Sequence, residues 1–391
     1  MIVGVPAESY LKERRVALVP AVLPALAEVG LEVMVERGAG EQAGFHNAAY
    51  EEKGARLAPN RTELFSSCDI IVQTHRLTAN PEGAHAGLEV FRCGQILLGL
   101  LDPLRAPETV RTLASAGVTA FALELLPRIS RAQPMDALTS MATISCYKAV
   151  ILAAGALQKM CPMMITAAGT VTPARVFVIG AGVAGLQAIA TARRLGAVVQ
   201  AYDIRSAVKE QVESLGAKFV ELELQAEGAE TEGGYARTMD EEFYHRQREM
   251  MKEVVADSDA VIATAAVPGK RAPLLVTEEM VRGMEPGSVI VDLAAEGGGN
   301  CELTRPDETV EVNGVRVMGP LNLPSTIPYH ASQMYARNVT AFLRNLVKDG
   351  KADFNAEDPI IHDTLVTHKG EVVNAQVREL LGLSPPSASP G

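Results

Sequence analysis

Short apolar runs alternate with segments of helical periodicity along almost the whole chain. In the first third, the pattern predicts strands at residues 2–5, 32–36, 70–73, 95–100 and 119–122. A helix is predicted at 21–29 and ends at Gly30, because glycine commonly terminates helices. Strands that alternate with helices are typical of βαβ units, in which helices cover a mostly parallel sheet.

A second segment of the same kind follows a long helix predicted at residues 137–160, with Asp136 as its N-cap. The strands predicted in it are 175–179, 198–202, 218–220, 260–264, 289–292 and 315–318. A helix predicted at 332–346 comes next, and the chain that remains is too short for a domain of its own. We therefore expect this C-terminal segment to return to the first domain.

The predicted fold class is α/β, with two doubly wound Rossmann-like parallel-sheet domains and a cleft between them. The first domain is predicted to be discontinuous and to consist of residues 1–137 and 321–391. The second is predicted to span residues 138–320.

Composition and charge exclude several classes of function. The chain has 391 residues, a net charge of −11 and 48% hydrophobic residues, which favours folded domains over disorder. An acidic surface repels nucleic acid and anionic lipid, so we expect neither as a direct partner. The five scattered cysteines form no CxxC pair, which indicates buried free thiols in a reducing compartment and no metal site.

The N-terminus begins with a predicted strand and lacks the basic start of a signal peptide. The longest uncharged stretch, residues 176–192, is interrupted by three glycines, whereas a membrane-spanning helix needs about 20 apolar residues. We expect a soluble protein with no direct membrane insertion.

The strongest chemical motif is the glycine-rich sequence that follows the predicted strand 175–179. Gly180, Gly182 and Gly185 form a GxGxxG pattern with Ala181 and Val183 between them. Such a pattern between a strand and a helix is typical of dinucleotide binding, because glycine allows the tight turn and the close approach of a diphosphate. The alternative is a Rossmann-like domain that has lost its nucleotide.

Asp203 ends the next predicted strand, followed by Ile204 and Arg205. A carboxylate at this place accepts hydrogen bonds from the adenosine ribose and repels a 2′-phosphate, so the motif predicts NAD(H) over NADP(H). Arg205 would weaken that exclusion.

The strand predicted at 260–264 ends at Thr264, Ala265 and Ala266, where small residues would let a cofactor pass over the backbone. Tight packing of the strand on a helix explains these small residues equally well.

Together these segments resemble the NAD(H)-binding component of proton-translocating transhydrogenase, along nearly the whole chain. The matching stretches are residues 127–136, 178–185, 203–205, 233–236, 267–270 and 292–295. The first of these, Pro-Arg-Ile-Ser-Arg-Ala-Gln-Pro-Met-Asp, is specific to that family. The others are shared in part with alanine dehydrogenase, which is similar in architecture.

The resemblance implies that residues from 128 to 139 reach across the cleft to the nicotinamide. Gln133 would contact the nicotinamide ribose, and Arg128 and Asp136 would form a polar pair near the ring. Thr139 stands where the family often has serine and keeps the hydroxyl. Without the resemblance, Asp136 is interpreted as an N-cap, Arg128 as a surface charge and Gln133 as a turn residue.

The connection at about residues 221–251 is much longer than usual for linked elements. The resemblance implies a mobile loop here that closes over the nucleotide, with Gly234 and Tyr235 near its tip. A disordered surface insertion is the alternative. Residues 241–255 have helical periodicity, so only part of the connection need be mobile.

The resemblance further implies an enzyme that transfers hydride between NADH and NADP⁺, coupled to proton translocation by membrane subunits. No residue of this chain is expected to act as general acid or base, because the cofactors carry the chemistry. NADP(H) would be held by the NADP(H)-binding domain of the membrane-bound partner subunits. The resemblance also implies a homodimer, located in the cytoplasm and bound peripherally to the inner face of the plasma membrane through its partner.

Two other functions remain as alternatives. An alanine dehydrogenase-like oxidoreductase would need a lysine and a histidine that are absent from residues 73–77 and 98–102, where His75 is displaced from the expected place. A non-catalytic NAD-binding protein would have no use for a loop that leaves the nicotinamide open to a partner.

Overall fold

The fold is described from a computed structural model of the chain. The structure describes residues 1–75, 90–221, 239, 241–266 and 271–384. The chain divides into two compact units. The first unit consists of Met1–Met141 and Pro324–Gly391, and the second of Ala142–Leu323. The first unit is therefore discontinuous in sequence.

The N-terminal segment alternates short strands and helices. Its strands are β1 (Ile2–Val5), β2 (Glu32–Glu36), β3 (Arg56–Ala58), β4 (Ile70–Val72), β5 (Ile96–Gly99) and β6 (Thr119–Ala122). Its helices are α1 (Leu23–Ala27), α2 (Asn47–Glu52), α3 (Arg61–Ser67) and α4 (Pro107–Ser115), followed by α5 (Ala137–Ala156).

The second unit contains the next group of elements. Its strands are β7 (Met164–Thr166), β8 (Gly169–Val171), β9 (Arg175–Ile179), β10 (Val198–Tyr202), β11 (Lys218–Phe219), β12 (Ala260–Ala263), β13 (Val289–Asp292), β14 (Thr309–Val312) and β15 (Val315–Met318). Its helices are α6 (Val183–Arg194), α7 (Lys209–Ser214), α8 (Glu241–Ala256) and α9 (Glu278–Arg282).

The C-terminal segment completes the first unit. It comprises α10 (Pro328–Leu346), β16 (Val347–Lys348), β17 (Lys351–Ala352), α11 (Pro359–Thr364), β18 (Leu365–His368), β19 (Glu371–Val372) and α12 (Ala375–Leu380). Single 3₁₀ turns occur at Pro20–Val22, Glu41–Ala43, Leu123–Leu125, Ser130–Met135, Ser206–Val208, Ala295–Gly297 and Leu323–Thr326.

The first unit is built on an eight-stranded sheet of order β19-β18-β6-β5-β4-β1-β2-β3. The strands from β6 to β3 are parallel, and β18 from the C-terminal segment pairs antiparallel with β6. Every residue of β4, β5 and β6 is buried, as expected for parallel strands covered on both faces. The strand order reverses between β1 and β4.

The second unit is built on a seven-stranded sheet of order β11-β10-β9-β12-β13-β15-β14. All its neighbouring pairs are parallel except the β14–β15 hairpin, and the strand order reverses between β9 and β12. Two apolar clusters pack against this sheet, one that includes α6 and one that includes α8 and α9. The predicted α/β class with two mostly parallel sheets is confirmed.

Several element boundaries differ from the prediction. The helix predicted at 21–29 is a 3₁₀ turn followed by the short α1, which has Pro24 in its first turn. The helix predicted at 137–160 ends at Ala156, shortly before Pro162, whose ring disfavours helical geometry in the residue before it. α10 begins at Pro328, earlier than predicted, because proline is well suited to the first helical position.

Two hairpin strands were missed by the pattern. β14 joins β15 through Asn313 and Gly314, both with positive φ, and β18 joins β19 through Lys369 and Gly370 in the same way. Two central residues with positive φ are typical of the tight hairpin turn whose preferred sequence is Asn-Gly. The turn signal was present in the sequence but the strands beside it are short.

α5 is long and apolar enough to cross a membrane by length and composition, and it is the one such helix among the described residues. A core helix of a soluble protein passes the same test, and about every third or fourth residue of α5 is buried, including Met141, Ala149 and Ala153. All five cysteines are free; contrary to the prediction, Cys93 is exposed and Cys161 is half-buried.

Candidate functional site

The glycine turn lies where the strand order of the second sheet reverses, at the carboxyl end of β9. Open α/β sheets bind ligands at this place. Gly180 has φ +95°, a left-handed conformation that favours glycine, and its N–H donates to the carbonyl of Tyr202 over 2.8 Å. Gly182 is the N-cap of α6, so the strand, turn and helix of the motif form one continuous structure.

Gly185 and Thr264 make the turn compact. A Cβ on Gly185 would lie 1.8 Å from the carbonyl oxygen of Gly180, so no other residue fits there. The Thr264 hydroxyl donates to the carbonyls of Ile179 and Gly180, over 3.2 and 3.1 Å. The carboxyl ends of β9 and β12 are therefore joined directly at the glycine turn.

Gly182 differs from these two glycines because space is open beside it. Its φ is −70°, which any residue adopts, and the nearest atom to an ideal Cβ is Nη2 of Arg205 at 3.5 Å. A glycine N-cap has no side chain to bond the first N–H groups of α6, which leaves these donors to a ligand. Ala181 beside it is fully buried, and Val183 is half exposed.

Asp203 follows β10 and is connected to the glycine turn. Its Oδ2 accepts from the N–H of Ala181 over 2.8 Å and from Nη2 of Arg205 over 2.9 Å. Its Oδ1 accepts from the N–H and Nε of Arg205, both over 2.9 Å. The carboxylate is 6% exposed and the guanidinium-bearing side chain 14%, so this is a nearly buried bidentate ion pair. Ile204 between them packs on the α8 side of the sheet.

A buried asparagine that the sequence reasoning missed fixes the end of β12. Oδ1 of Asn300 accepts from the N–H of Ala265 over 3.1 Å, and its Nδ2 donates to the carbonyls of Ala265 and Pro273, both over 2.8 Å. Asn300 is fully buried and thus substitutes for a missing strand partner. Ala266, the next residue along, is exposed.

Asp292 in turn holds the chain around Asn300. Its Oδ2 accepts from the N–H groups of Asn300 and Cys301 and from the Thr304 hydroxyl, over 2.7, 3.0 and 2.7 Å. A Cβ on Gly299 would come within 3.0 Å of the same oxygen. The signal in the sequence was the run of glycines just after the strand that ends at Asp292.

In the first unit, Asp136 and Thr139 lie together at the start of α5. Oδ1 of Asp136 accepts from the N–H of Thr139 over 2.8 Å, and its Oδ2 accepts from the Thr139 hydroxyl over 2.6 Å. Asp136 is therefore an N-cap, as its position before the predicted helix indicated. Both carboxylate oxygens are used in this way, and both residues are half-buried.

The turn that carries the other predicted residues is held to α10. Nδ2 of Asn338 donates to the carbonyl of Pro134 over 2.8 Å, and Nη1 of Arg131 donates to Asn345 over 3.1 Å. Arg131 also forms an ion pair with Asp358. These contacts define the backbone of Ser130–Met135, from which Gln133 is exposed to solvent.

The remaining predicted residues are placed as follows. Arg128 is exposed before the 3₁₀ turn, and its predicted pairing with Asp136 stays a prediction. Gly234 and Tyr235 lie outside the described residues, as does most of the predicted mobile loop at 221–251. From Glu241 onward that segment is helical, because it forms the start of α8.

Two family models match the chain. They are described as the alanine dehydrogenase/PNT N-terminal domain, at residues 4–145, and the alanine dehydrogenase/PNT C-terminal domain, at residues 149–375. The chain belongs to the alanine dehydrogenase/PNT family.

Within the alanine dehydrogenase/PNT family, the chain is more similar to transhydrogenase subunits than to alanine dehydrogenases. It is 45% identical to an NAD(P) transhydrogenase subunit alpha protein of Rhodospirillum rubrum, over 96% of this chain and 98% of that one. A solved transhydrogenase structure from Sinorhizobium meliloti has a TM-score of 0.85 and 43% identity, covering 95% of this chain and 100% of that one. Alanine dehydrogenase of Bacillus subtilis is 30% identical, over 98% and 95%.

This alanine dehydrogenase/PNT chain carries a second polar cluster, at the carboxyl edge of the first sheet. Arg15 is buried and pairs with both carboxylate oxygens of Glu13, over 2.7 and 2.6 Å. Oε1 of Glu8, which follows β1, accepts from the N–H of Thr74, which follows β4, over 2.6 Å. Burial and the nearby charge of Glu13 raise the pKa of Glu8 to about 7. The point of strand reversal in this sheet is thus bridged by the chain's own side chains.

Proposed function

We propose that this chain binds NAD(H) on its glycine turn and exchanges hydride with NADP(H) held on a partner subunit, as part of a proton-translocating NAD(P) transhydrogenase. The observation that carries the proposal is the open space beside Gly182 at the uncapped start of α6. Backbone N–H groups and a partial positive charge at a helix N-terminus suit a diphosphate.

The fit of a dinucleotide is supported along the whole edge of the second sheet. Gly180 and Gly185 define the turn, Asp203 stands where the adenosine ribose is expected, and Thr264 and Ala265 border the turn on its other side. Val183, Ile204, Arg205 and Ala266 flank these groups. The similarity to NAD(P) transhydrogenase alpha subunits also supports this assignment.

We assign the nicotinamide end to Arg128, Gln133, Asp136 and Thr139, with Gly234 and Tyr235 covering the nucleotide. Bound nicotinamide supplies hydride chemistry that needs no proton transfer by the protein. The residues of this chain therefore orient the ring and exclude water. The contacts of the Ser130–Met135 turn with α10 would keep Gln133 at a fixed position, which is what such orientation requires.

The test is hydride transfer in a reconstituted pair. The chain is mixed with an NADP(H)-binding transhydrogenase domain, and NADH deuterated at C4 is the donor. We expect stereospecific appearance of deuterium in NADPH and no exchange with solvent protons. Deuterium loss to solvent, or no transfer although both nucleotides bind, would contradict the proposal.

A non-catalytic NAD-binding protein is distinguished by Gln133→Asn. If Gln133 orients the ring, this variant slows hydride transfer far more than it weakens NADH binding. The control is Gln376→Asn, a second exposed glutamine in α12, which should leave both unchanged. Equal losses of transfer and binding in the Gln133 variant would favour simple binding.

An alanine dehydrogenase activity is the second candidate, because that enzyme is a more distant relative. It is tested by following NADH oxidation with pyruvate and ammonia. We expect no turnover, since Arg15, the buried cation at the carboxyl edge of the first sheet, is already paired with Glu13. Turnover at the rate of NADP⁺ reduction would replace the transhydrogenase proposal.

Assembly belongs to the same proposal: a homodimer that binds the cytoplasmic face of the membrane through its partner subunits. The β7–β8 hairpin supports a second copy as its neighbour, because Met163 and Ile165 are 60% and 79% exposed and isolated two-stranded hairpins are barely stable in water. Ile165→Lys should lower the sedimentation coefficient towards that of a monomer. Leu11→Lys, an exposed leucine of the first unit, is the control.

A further inference from the structure

Asp203 has no free acceptor site in this structure. A carboxylate offers about four lone-pair sites. Oδ1 uses two for the N–H and Nε of Arg205, and Oδ2 uses two for the N–H of Ala181 and Nη2 of Arg205. A ribose hydroxyl can donate to this carboxylate only after one of these donors leaves.

The guanidinium of Arg205 is the donor that can leave. The N–H groups of Ala181 and Arg205 belong to the backbone of the glycine turn and of the segment after β10, so they are fixed by the fold. The guanidinium supplies the other two hydrogen bonds from the end of a flexible side chain. A phosphate can replace the carboxylate as its partner, because arginine binds either group with the same two-pronged geometry.

The guanidinium also lies close to where nucleotide phosphates would arrive. Its Nη2 is 3.5 Å from an ideal Cβ of Gly182, the glycine that leaves open space at the start of α6. While it stays paired, it cancels the negative charge of Asp203 that would otherwise repel a 2′-phosphate. Both facts bear on which adenine nucleotide the site accepts.

We propose that Arg205 is an exchangeable partner of Asp203: it leaves the carboxylate when an adenosine ribose binds and then pairs with phosphate on the nucleotide, which allows a 2′-phosphorylated adenosine to bind. The inference rests on the proposed NAD(H) site and adds a residue that sets its selectivity. The second unit thus prefers NAD(H) less strongly than an unpaired aspartate would dictate.

The test compares dissociation constants of four nucleotides: NADH, NADPH, ADP and 2′,5′-ADP. The last two report on the adenosine end alone. Arg205→Ala should weaken NADPH and 2′,5′-ADP by about tenfold or more, the usual value of a charge-assisted bidentate contact. NADH and ADP should change by less than about threefold, because Asp203 is freed as the phosphate contact is lost.

Two further variants separate selectivity from stability. Arg205→Lys keeps the charge without the fork, so it should retain part of the 2′,5′-ADP binding. Arg194→Ala, an exposed arginine in the last turn of α6, should change none of the four constants. Melting temperatures are measured for all variants.

An unchanged ratio of the NADPH and NADH constants in Arg205→Ala would overturn the inference and leave the proposed function intact. Equal loss of all four nucleotides in both Arg205 variants, with a lower melting temperature, would also overturn it, because the ion pair would then be structural. A wild-type chain that binds none of the nucleotides would overturn both proposals.

Discussion

The two sheets of this protein reverse their strand order in the same way, but the edges at the two reversal points are built differently. In the second unit, the edge consists of glycines, alanines and one threonine, and an open space remains beside Gly182. In the first unit, the corresponding edge carries Glu8, Glu13, Arg15 and Tyr335, whose side chains bond to one another or to the backbone.

The difference shows that a doubly wound sheet offers a ligand place without guaranteeing a ligand. Small residues leave backbone N–H groups available at the second edge. Long polar side chains satisfy the backbone at the first edge, where the Tyr335 hydroxyl donates to the carbonyl of Gln73 over 2.5 Å. The nature of a few side chains after each strand therefore decides whether the edge binds a ligand or stabilises the fold.

The largest effect is expected from removing the buried amide at the second edge. Asn300→Ala should cost roughly 3 kcal/mol of unfolding free energy, because it leaves backbone groups of Ala265 and Pro273 without partners. It should also weaken NADH binding. Urea unfolding and NADH titration measure the two effects, with the exposed Asn355→Ala as control. Wild-type stability in the Asn300 variant would show that this edge does not depend on the amide.

Gly182→Ala should separate binding from folding at the same edge. Its Cβ meets nothing closer than 3.5 Å, so the melting temperature should stay near that of the wild type. The methyl group would fill the space proposed for the diphosphate, and NADH binding should weaken by about a hundredfold. Gly155→Ala in α5, with open space around the new Cβ, is the matched control. Full NADH affinity in the Gly182 variant would place the nucleotide elsewhere.

Tyr335→Phe tests whether the first edge serves only stability. Loss of the hydrogen bond to Gln73 should lower the unfolding free energy by about 1 kcal/mol. NADH affinity should stay within about twofold of the wild type, a difference of less than about 0.5 kcal/mol. A tenfold loss of NADH affinity would mean that both edges contribute to the nucleotide site.

The smallest effect is a dependence of stability on pH. Because burial raises the pKa of Glu8 from 4.5 to about 7, the folded chain holds this proton more tightly than the unfolded chain. The stability contributed by Glu8 is therefore complete below pH 4.5 and is lost as the pH rises through about 7. Glu8→Gln should reduce the loss of stability between about pH 5.5 and 8, on the order of 1 kcal/mol, in urea titrations. An unchanged pH profile would exclude Glu8 as its source.

Glu124 provides the comparison for that experiment. Its pKa is also raised to about 7 by burial, and it accepts a hydrogen bond from the N–H of Asp102. Part of the pH dependence should therefore survive in Glu8→Gln and disappear only when Glu124→Gln is added.

Sequence patterns predicted the elements that are long or fully apolar. The bounds of β1, β2, β6, β9, β10, β13 and β15 agree with prediction to the residue. They missed β14 and β18, because each is four residues long and is recognised mainly by its turn and its partner strand. The capping role of Asp136 was also predicted, since it depends only on neighbours in sequence.

The sequence by itself determined the α/β class, the glycine turn and its place between a strand and a helix, because these follow from local periodicity and from the steric freedom of glycine. Only the tertiary structure decided that Asn300 holds Ala265, that Arg205 fills the acceptor sites of Asp203, and that Tyr335 bonds to Gln73. Such contacts join residues after different strands or adjust one side chain to another, and strand order, which brings those ends together, is set by the packing of the whole sheet.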